Sequence, residues 1–340
     1  NAVSLASTNT HINSITLAST TANAGAVALP ATVSAANFAA TLDKISNASG
    51  WNVTNVTNTS DALTLAADNH VGNVTLANTG TNTAGVVALP SAVAASDFKL
   101  VLDKISNASG WNVTGVASTS DAFTLATDSH ISSVTLSTTN TSAGSLTIPA
   151  GVSAANFAAT INKITNASGF TISNVNTGDA LTLLNTAGSH FGVSAVAISD
   201  TSANIASNLD ALQAQVTKLG AITQSGTPSA LSVTAAQLTS DAGVLAKLGA
   251  NYTLNVSDVS TSLVSDLQAL QNNLSHISSI SLSDSATPVI HTTAANFNTY
   301  SAVFAKIAAG TNYTVYLDDH PVVDIASATT QAGLHEAGFT

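Results

Sequence analysis

Apolar residues recur along the chain in short clusters, separated by stretches of Ser, Thr, Asn and Gly. In one of the first clusters, Phe38, Leu42 and Ile45 stand at i, i+4 and i+7, which places them on one face of a helix. Ser34, just before them, is a typical helix N-cap. Gly50 suits the left-handed conformation at a helix C-terminus. The pattern therefore predicts one short helix that ends in the NASG tetrapeptide.

Alternating patterns surround this helix. Trp51, Val53 and Val56 alternate with Asn and Thr, which is typical of a half-buried strand. The segments DALTLA at 61–66 and HVGNVTL at 70–76 are interpreted as two further strands, and GVVALP at 85–90 as a strand that stops at its proline. A strand, a short helix and a strand in one sheet predict a right-handed crossover.

The same pattern returns with a period of about sixty residues. The stretch DKISNASGWNVT at 43–54 recurs letter for letter at 103–114, and a third copy, NKITNASGFTIS, begins at Asn162. His70, His130 and His190 follow the same spacing. Self-similarity at a fixed period indicates a tandem repeat.

The C-terminal half contains two more divergent copies, at 231–256 and 290–317, and two inserted segments. The inserted segments have apolar residues at helical spacing, which predicts longer amphipathic helices that pack against a sheet. These positions are Ile205, Leu209, Leu212, Val216 and Leu219, and then Leu263, Leu267, Leu270, Leu274 and Ile277.

We therefore expect a mainly β fold with short helices: a tandem β-rich repeat array of about sixty residues per unit, with one short helix per unit and extra helices in the C-terminal units. The predicted units are 1–60, 61–120 and 121–195, followed by elaborated units 196–260 and 261–340. A unit this small buries little surface alone, so neighbours are expected to share a core as in solenoids. Separate beads are the alternative.

The amino-acid composition excludes several classes of function. Only 7% of the residues are charged, the seven basic residues are all Lys, and the net charge is −11. This balance argues against a nucleic-acid binder and a polybasic membrane-surface protein. Ser, Thr, Asn or Gly interrupts every apolar stretch, so no membrane span is expected. The absence of Cys excludes disulfides and thiolate metal sites. A polar chain with so few charges is typical of a secreted surface protein.

Acids and histidines also recur at the repeat period. Because Asp and His are metal-ligand types and oxygen ligands on turns suit Ca²⁺, calcium is a candidate cofactor. The favoured alternative is that the acids are turn residues between strands and the histidines begin strands. The candidate ligands are Asp61, Asp68, His70, Asp121, Asp128 and His130, with Asp318 and Asp319 as a further acidic patch beside His320.

Other chemistry has a simpler interpretation. Trp51 and Trp111 could stack on sugar rings, but Phe170 in the same slot favours a core position. Asp43 and Lys44 could form an acid/base pair, but adjacent helical residues point to different faces, which favours solvated charges. With one Glu, no Arg and no catalytic motif, we expect no enzyme.

The pattern [ST]-A-A-[NQ]-[FL], followed by Lys-Ile or Lys-Leu and a strand, together with SDTSANIASNLDALQ at 199–213, resembles the long repetitive surface proteins of Gram-negative bacteria. These proteins are described as S-layer-like, adhesin-like or calcium-binding repeat proteins. The resemblance implies export, an extracellular location at the cell surface, and a scaffold or adhesion role without catalytic residues. The chain lacks the calcium-binding nonapeptide, which counts against calcium dependence.

Two functions follow as expectations. The first is a structural extracellular protein, a self-assembling subunit or segment of a surface layer, sheath or filament whose partner is a second copy of the chain. Assembly could use donation of a strand from the N-terminal segment. The candidate residues for this exchange are Asn1, Val3, Leu5, Ile15 and Leu17. The alternative is an adhesin segment that binds a glycan or cell-surface ligand through Tyr313, Tyr316 and the acidic patch.

Overall fold

The computed structural model describes residues 2–77, 84–319 and 324–325. It shows an α/β protein, with 34% helix and 28% strand, in which parallel sheets alternate with helices. The expected mainly β array is therefore wrong. Parallel neighbours require a crossover connection, and here helices supply it.

The chain divides into two compact units, one of residues 1–144 and 156–168 and one of residues 145–155 and 169–340. The first unit contains α1 (Ala2–Thr8), β1 (Gly25–Ala28), α2 (Ala35–Asp43), β2 (Trp51–Val56), α3 (Thr59–Ala66), β3 (Val71–Leu76), β4 (Val86–Ala88), α4 (Ala95–Asp103), β5 (Trp111–Val116), α5 (Thr119–Ala126), β6 (Ile131–Leu136) and, from residue 156, α6 (Ala154–Asn162).

The second unit contains, from residue 145, β7 (Gly144–Leu146), then β8 (Phe170–Val175), α7 (Thr177–Ala187), β9 (Phe191–Asp200), α8 (Ser202–Ala206), α9 (Leu209–Gln213), β10 (Leu219–Gln224), β11 (Leu231–Val233), α10 (Gln237–Ser240), α11 (Ala242–Leu245), β12 (Leu254–Asp258), α12 (Ser260–Ser265), α13 (Leu267–Asn272), β13 (Ile277–Leu282), β14 (Val289–Thr292), α14 (Ala294–Thr299), α15 (Ser301–Phe304), β15 (Thr314–Leu317) and β16 (Asp324–Ile325). Single turns of 3₁₀ helix lie at Gly188–His190 and Ala246–Leu248.

Strands that are neighbours in the chain are also neighbours in the sheets. The sheet orders are β1-β2-β3 and β4-β5-β6, then β10-β9-β8-β7, β11-β12-β13 and β14-β15-β16. The pairings of β1 to β3, β4 to β6, β8 to β10, β11 to β13 and β14 to β15 are parallel. The last strand, β16, is antiparallel to β15. The unit boundaries expected at 60, 120 and 260 fall inside or against α3, α5 and α12.

The expected strand DALTLA is instead the helix α3, and its counterparts are α5 and α7. Leu63 and Leu65 fit a period of two, but Ala62, Leu65 and Ala66 fit the helical period, and these are the residues that α3 buries. Asn58 supplies the N-cap, since its Oδ1 accepts the amide of Asp61 at 2.8 Å. The cap and the Asp in the first turn favour helix over strand.

The inserted segments form short helices rather than long ones. Ile205, Leu209 and Leu212 are buried, in agreement with the amphipathic pattern, but α8 ends at Ala206 and α9 begins only at Leu209. Leu219 begins β10, and Ile277 begins β13 in the second insertion. The helical pattern therefore runs on into the next strand, because its last apolar residue is a strand core position.

Gly50, Gly110 and Gly169 have positive φ, of 73°, 82° and 74°. The left-handed conformation is as expected, but Gly50 was expected to end the helix. Instead, α2 ends at Asp43 and Gly50 lies directly before β2. A Cβ on Gly50 would overlap the main-chain oxygen of Ala22. The glycine therefore permits a close approach of two chain segments instead of ending the helix.

In the first unit an asparagine side chain recurs at about sixty-residue spacing and bonds to a residue about thirty positions earlier in the chain. Asn107 Oδ1 accepts the amide of Leu76 at 2.9 Å, and Asn107 Nδ2 donates to the carbonyl of Leu76 at 2.9 Å. Asn47 bonds in the same way to Leu17, and Asn166 to Leu136. Asn107 lies just before β5 and Leu76 lies in β3, so this contact joins the sheet β4-β5-β6 directly to the sheet β1-β2-β3, in contrast to separate beads. The contacts made by Asn107 and its counterparts are the repeat junctions.

A lysine makes a second contact at the same junctions. Lys104 Nζ donates to the carbonyl of Asp68 at 2.9 Å, and Lys163 Nζ donates to that of Asp128 at 2.6 Å. Burial lowers the pKa of both lysines, and Asp68 and Asp128 partly offset this. Lys44 donates to the carbonyl of Ala6 at 3.4 Å, so it has a structural contact rather than an acid/base role beside Asp43.

The N-terminal segment is not a pair of strands. Val3 and Leu5 lie in α1, and Asn1 is outside the described residues. Ile15 forms a parallel bridge with Ile45, and the amide of Leu17 donates to Asn47 within the same chain. The two expected strands are therefore corrected, because the first part of the segment is helical and the later part pairs within its own chain. Exchange of this segment between copies stays a prediction.

Among the described helices, none combines the length and the apolar character needed to cross a bilayer. The expected lack of a membrane span agrees with this finding.

Candidate metal-binding clusters

Two of the expected acidic ligands, Asp61 and Asp121, do not lie in the clusters that contain the histidines. Asp61 is in the first turn of α3, where Asn58 Nδ2 donates to Asp61 Oδ2 at 2.7 Å. Asp121 is in the first turn of α5, where Ser118 Oγ donates to Asp121 Oδ2 at 2.8 Å. Each carboxylate thus completes a helix N-terminus, where negative charge is favourable. The assignment of Asp61 and Asp121 as partners of the histidines is corrected, and so is their interpretation as turns between strands.

The first cluster brings Asp68 and His70 together with Asp43. The imidazole Nδ1 of His70 lies 2.8 Å from Asp43 Oδ1 and 3.6 Å from Asp68 Oδ1. The main-chain amide of His70 donates to Asp68 Oδ1 at 2.7 Å, which turns the chain after α3 and directs the ring towards the two carboxylates. Asp43 is the last residue of α2, so two helix ends and the start of β3 form the cluster.

The second cluster has the same construction. His130 Nδ1 lies 3.1 Å from both Asp103 Oδ1 and Asp128 Oδ1, and the His130 amide donates to Asp128 Oδ1 at 2.7 Å. The side chain of Asp128 is only 1% exposed. In each cluster, three ligand-type atoms lie within 4.8 Å of one another.

Sequence reasoning found Asp68, His70, Asp128 and His130 but missed the third member of each set. The third repeat contained a signal, because it keeps His190 but has Asn162 and Gly188 where the earlier repeats have their two acids. The two positions change together, which would have indicated that Asp43 and Asp103 belong with the histidines.

Two carboxylate oxygens and one imidazole nitrogen can hold a cation. Calcium takes six to eight oxygen ligands in proteins, whereas zinc and its neighbours combine imidazole and carboxylate. The donor set therefore matches a transition-metal ion better than the calcium expected from turn oxygens.

The acidic patch near the C-terminus is divided between two roles. Asp318 Oδ1 lies 3.0 Å from His291 Nδ1, and this ring stacks on Tyr316 at a centroid distance of 5.1 Å. Asp319 Oδ1 accepts the amide of Ala294, at the start of α14, at 2.9 Å. The expected joint cation site is thus corrected, while His320 lies outside the described residues.

The hydrogen bond of Asp319 is one of four similar bonds between an Asp side chain and a main-chain amide that the sequence did not reveal. In the second unit, an Asp at or just after the end of one strand accepts an amide at or just before the start of the helix that follows the neighbouring strand. The pairs are Asp200 with Thr177, Asp258 with Ala235, Asp284 with Ser260 and Asp319 with Ala294. Their partners are 23 to 25 residues away, so no local motif marks them.

A carboxyl pair in the second unit was also missed. Burial and contact with the Asp210 carboxylate raise the pKa of Asp241 to about 6. Asp210 has a lowered pKa, chiefly because Gln237 Nε2 donates to it at 3.1 Å. At mildly acidic pH the carboxyl of Asp241 therefore keeps its proton, whereas an isolated carboxyl is ionised.

The tryptophans are core residues, as favoured. Trp51 and Trp111 are 8% and 1% exposed, so neither presents a ring face to a sugar.

The chain was compared with protein-family models, with curated proteins and with solved structures, and none of them matches it.

Proposed function

We propose that this chain is a structural protein of the bacterial cell surface, a self-assembling subunit or segment of a surface layer, sheath or filament. The observation that carries the proposal is the repeated junction: the same Asn and Lys contacts recur at positions about sixty residues apart. Such junctions suit a scaffold because they make one stable module that can be repeated.

The use of charge supports the same proposal. Lys104 and Lys163 bind main-chain carbonyls at the repeat junctions, and Asp200 and Asp258 bind helix amides. In a chain with only 7% charged residues, many of the charged side chains thus stabilise main chain. The low charge also reduces repulsion between copies in close contact. The resemblance of the repeat pattern to bacterial surface proteins adds to this argument.

Electron microscopy of the full chain tests the proposal. We expect filaments or a lattice that grow with protein concentration and persist at high salt, since few charges take part. Monodisperse single chains at every concentration would contradict it.

A shortened chain provides the control against amorphous aggregation. Deletion of residues Asp61–Ser120 removes one repeat in register and joins Ser60 to Asp121, so that the sequence at the new junction matches the original. An ordered assembly of this variant should have a different lattice spacing, whereas an amorphous aggregate has no spacing to change.

An adhesin segment is the second candidate function, favoured by one surface. Tyr316 is 40% exposed and stacks on His291, whose Nδ1 contacts Asp318. Aromatic faces next to a carboxylate suit a sugar. Binding to a glycan array that disappears in Tyr316→Ala but persists in Tyr300→Ala would support this function, and an absence of binding in the unmodified chain would refute it.

A further inference from the structure

We propose that the clusters Asp43–Asp68–His70 and Asp103–Asp128–His130 each bind one divalent transition-metal ion, for which zinc is the best match. This inference does not depend on the proposed scaffold function, since a metal could bind to the first unit whether or not the chain assembles.

The geometry of the first cluster favours shared coordination. His70 Nδ1 and Asp43 Oδ1 are 2.8 Å apart, yet His70 Nδ1 is buried and, among the described residues, has no aligned hydrogen-bond partner. Two donor atoms that are close without being aligned for a hydrogen bond are arranged like two ligands of one ion. A metal at this position requires the imidazole proton on Nε2, which leaves the Nδ1 lone pair free.

A second, independent observation comes from the other cluster. The side chain of Asp128 is 1% exposed, and its Oδ1 is 3.1 Å from His130 Nδ1. Its Oδ2 is buried and has no hydrogen-bond partner among the described residues. A buried carboxylate oxygen without a partner is costly. Lys163 does not relieve this by a direct bond, because its Nζ donates to the main-chain carbonyl of Asp128. A bound cation would satisfy the oxygen.

The third repeat of the chain is a natural comparison. It keeps the imidazole as His190 but replaces both acids, by Asn162 and Gly188. The two carboxylates are therefore present together or absent together within one chain, as expected if they serve one ligand.

The donor set selects the metal. Each cluster offers one nitrogen and two carboxylates, the mixture that zinc accepts with three protein ligands and one solvent position. The two carboxylates neutralise the charge of a divalent ion. Calcium would lack most of its oxygen ligands.

Metal content and titration of the full chain test the inference. After treatment with a chelator and dialysis, the chain is titrated with zinc chloride by calorimetry, and the bound zinc is measured by elemental analysis after gel filtration. We expect two zinc ions per chain, one per cluster, and a higher melting temperature with zinc than with chelator.

Variants locate the ions. We expect Asp43→Asn to lower the stoichiometry from two to one, and Asp43→Asn with Asp103→Asn to abolish binding. Both side chains are substantially exposed at helix ends, so the variants should fold, which circular dichroism checks. His190→Asn in the third repeat is the matched control and should still bind two.

Three results would overturn the inference. One is no zinc binding by the folded chain, in which case the contacts between imidazole and carboxylates have only a structural role. Another is binding that survives the double substitution, which places zinc elsewhere. The last is two calcium ions, lost in the same variants and not displaced by zinc, which would make calcium the ligand.

Discussion

The slot occupied by Trp111 shows how single residues set the stability of a repeat. Trp111 is fully enclosed, and its Nε1 is buried with no hydrogen-bond partner among the described residues. Phe170 fills the corresponding slot in the third repeat and is equally buried. The slot therefore needs aromatic volume but makes no use of the indole N–H.

We predict that Trp111→Phe changes the free energy of unfolding by less than about 1.5 kcal/mol, because a smaller ring is offset by loss of an unsatisfied donor. Trp111→Ala should cost about 3–5 kcal/mol through the cavity it leaves. Urea denaturation followed by circular dichroism measures both. Equal destabilisation by the two substitutions would show that the N–H has a partner.

Asp241 gives the chain a pH-dependent stability. Its pKa of about 6 in the folded state is above the usual value, so folding favours the protonated carboxyl. This contribution is present in full below pH ~4 and is lost as the pH rises through about 6. At neutral pH the ionised, buried group destabilises the fold.

We predict that Asp241→Asn is more stable than the unmodified chain at pH 7, by on the order of 1–2 kcal/mol, and close to it near pH 4. Asp210→Asn should also reduce the pH dependence, because it removes the neighbouring negative charge. Thermal melts across this range measure the effect. Parallel stability curves for Asp241→Asn and the unmodified chain would contradict the assignment.

At the scale of elements, the junction between repeats depends on a side chain that imitates backbone pairing. Asn107 supplies both an acceptor and a donor to Leu76, so it continues the parallel pairing that Val74 and Ile105 make with backbone atoms. A shorter side chain would leave the amide and carbonyl of Leu76 without these bonds.

We predict that Asn107→Ala lowers the free energy of unfolding by about 1–3 kcal/mol. Asn69→Ala is the control, because Asn69 is exposed in the loop before β3 and should tolerate the change. Chemical denaturation compares them. If both variants lose the same stability, the Asn107 contacts contribute nothing specific.

The helices and strands also show how much of the structure could be predicted from the sequence. The apolar face of α2 and the positive φ of Gly50 are local properties, and both were predicted correctly, although Gly50 lies before β2 and not at the end of α2. The identity of α3 was missed because Leu63 and Leu65 fit a strand as well as a helix, and only the Asn58 cap separates them. Asp43 was missed as a partner of His70 because the fold, rather than the spacing, brings these residues together.

At the scale of the whole molecule, each repeat is a module. Deletion of one sixty-residue period should remove a complete module and leave the remaining repeats correctly aligned. Removal of Asp61–Ser120 rebuilds one helix from the first two residues of α3 and the last six residues of α5. It also leaves Asp43 in position to meet Asp128 and His130, which would make one hybrid cluster.

We predict that this variant folds cooperatively and binds one zinc ion instead of two. Deletion of Asp61–Gly110 is the control, since it joins Ser60 to Trp111 out of register and leaves only the first two residues of α3. Far-ultraviolet circular dichroism and thermal melts distinguish them. An unfolded in-register variant would show that the repeats are not equivalent modules.

The positions of the aromatic residues give the chain a built-in spectroscopic separation. Both tryptophans, Trp51 and Trp111, lie in the first compact unit, whereas Tyr252, Tyr300, Tyr313 and Tyr316 all lie in the second. Fluorescence excited at the long-wavelength edge of the absorption band, where tryptophan alone absorbs, therefore reports on the first unit without any label. Far-ultraviolet circular dichroism reports on both units. A comparison of the two signals during one melt reveals whether the halves unfold together or in turn.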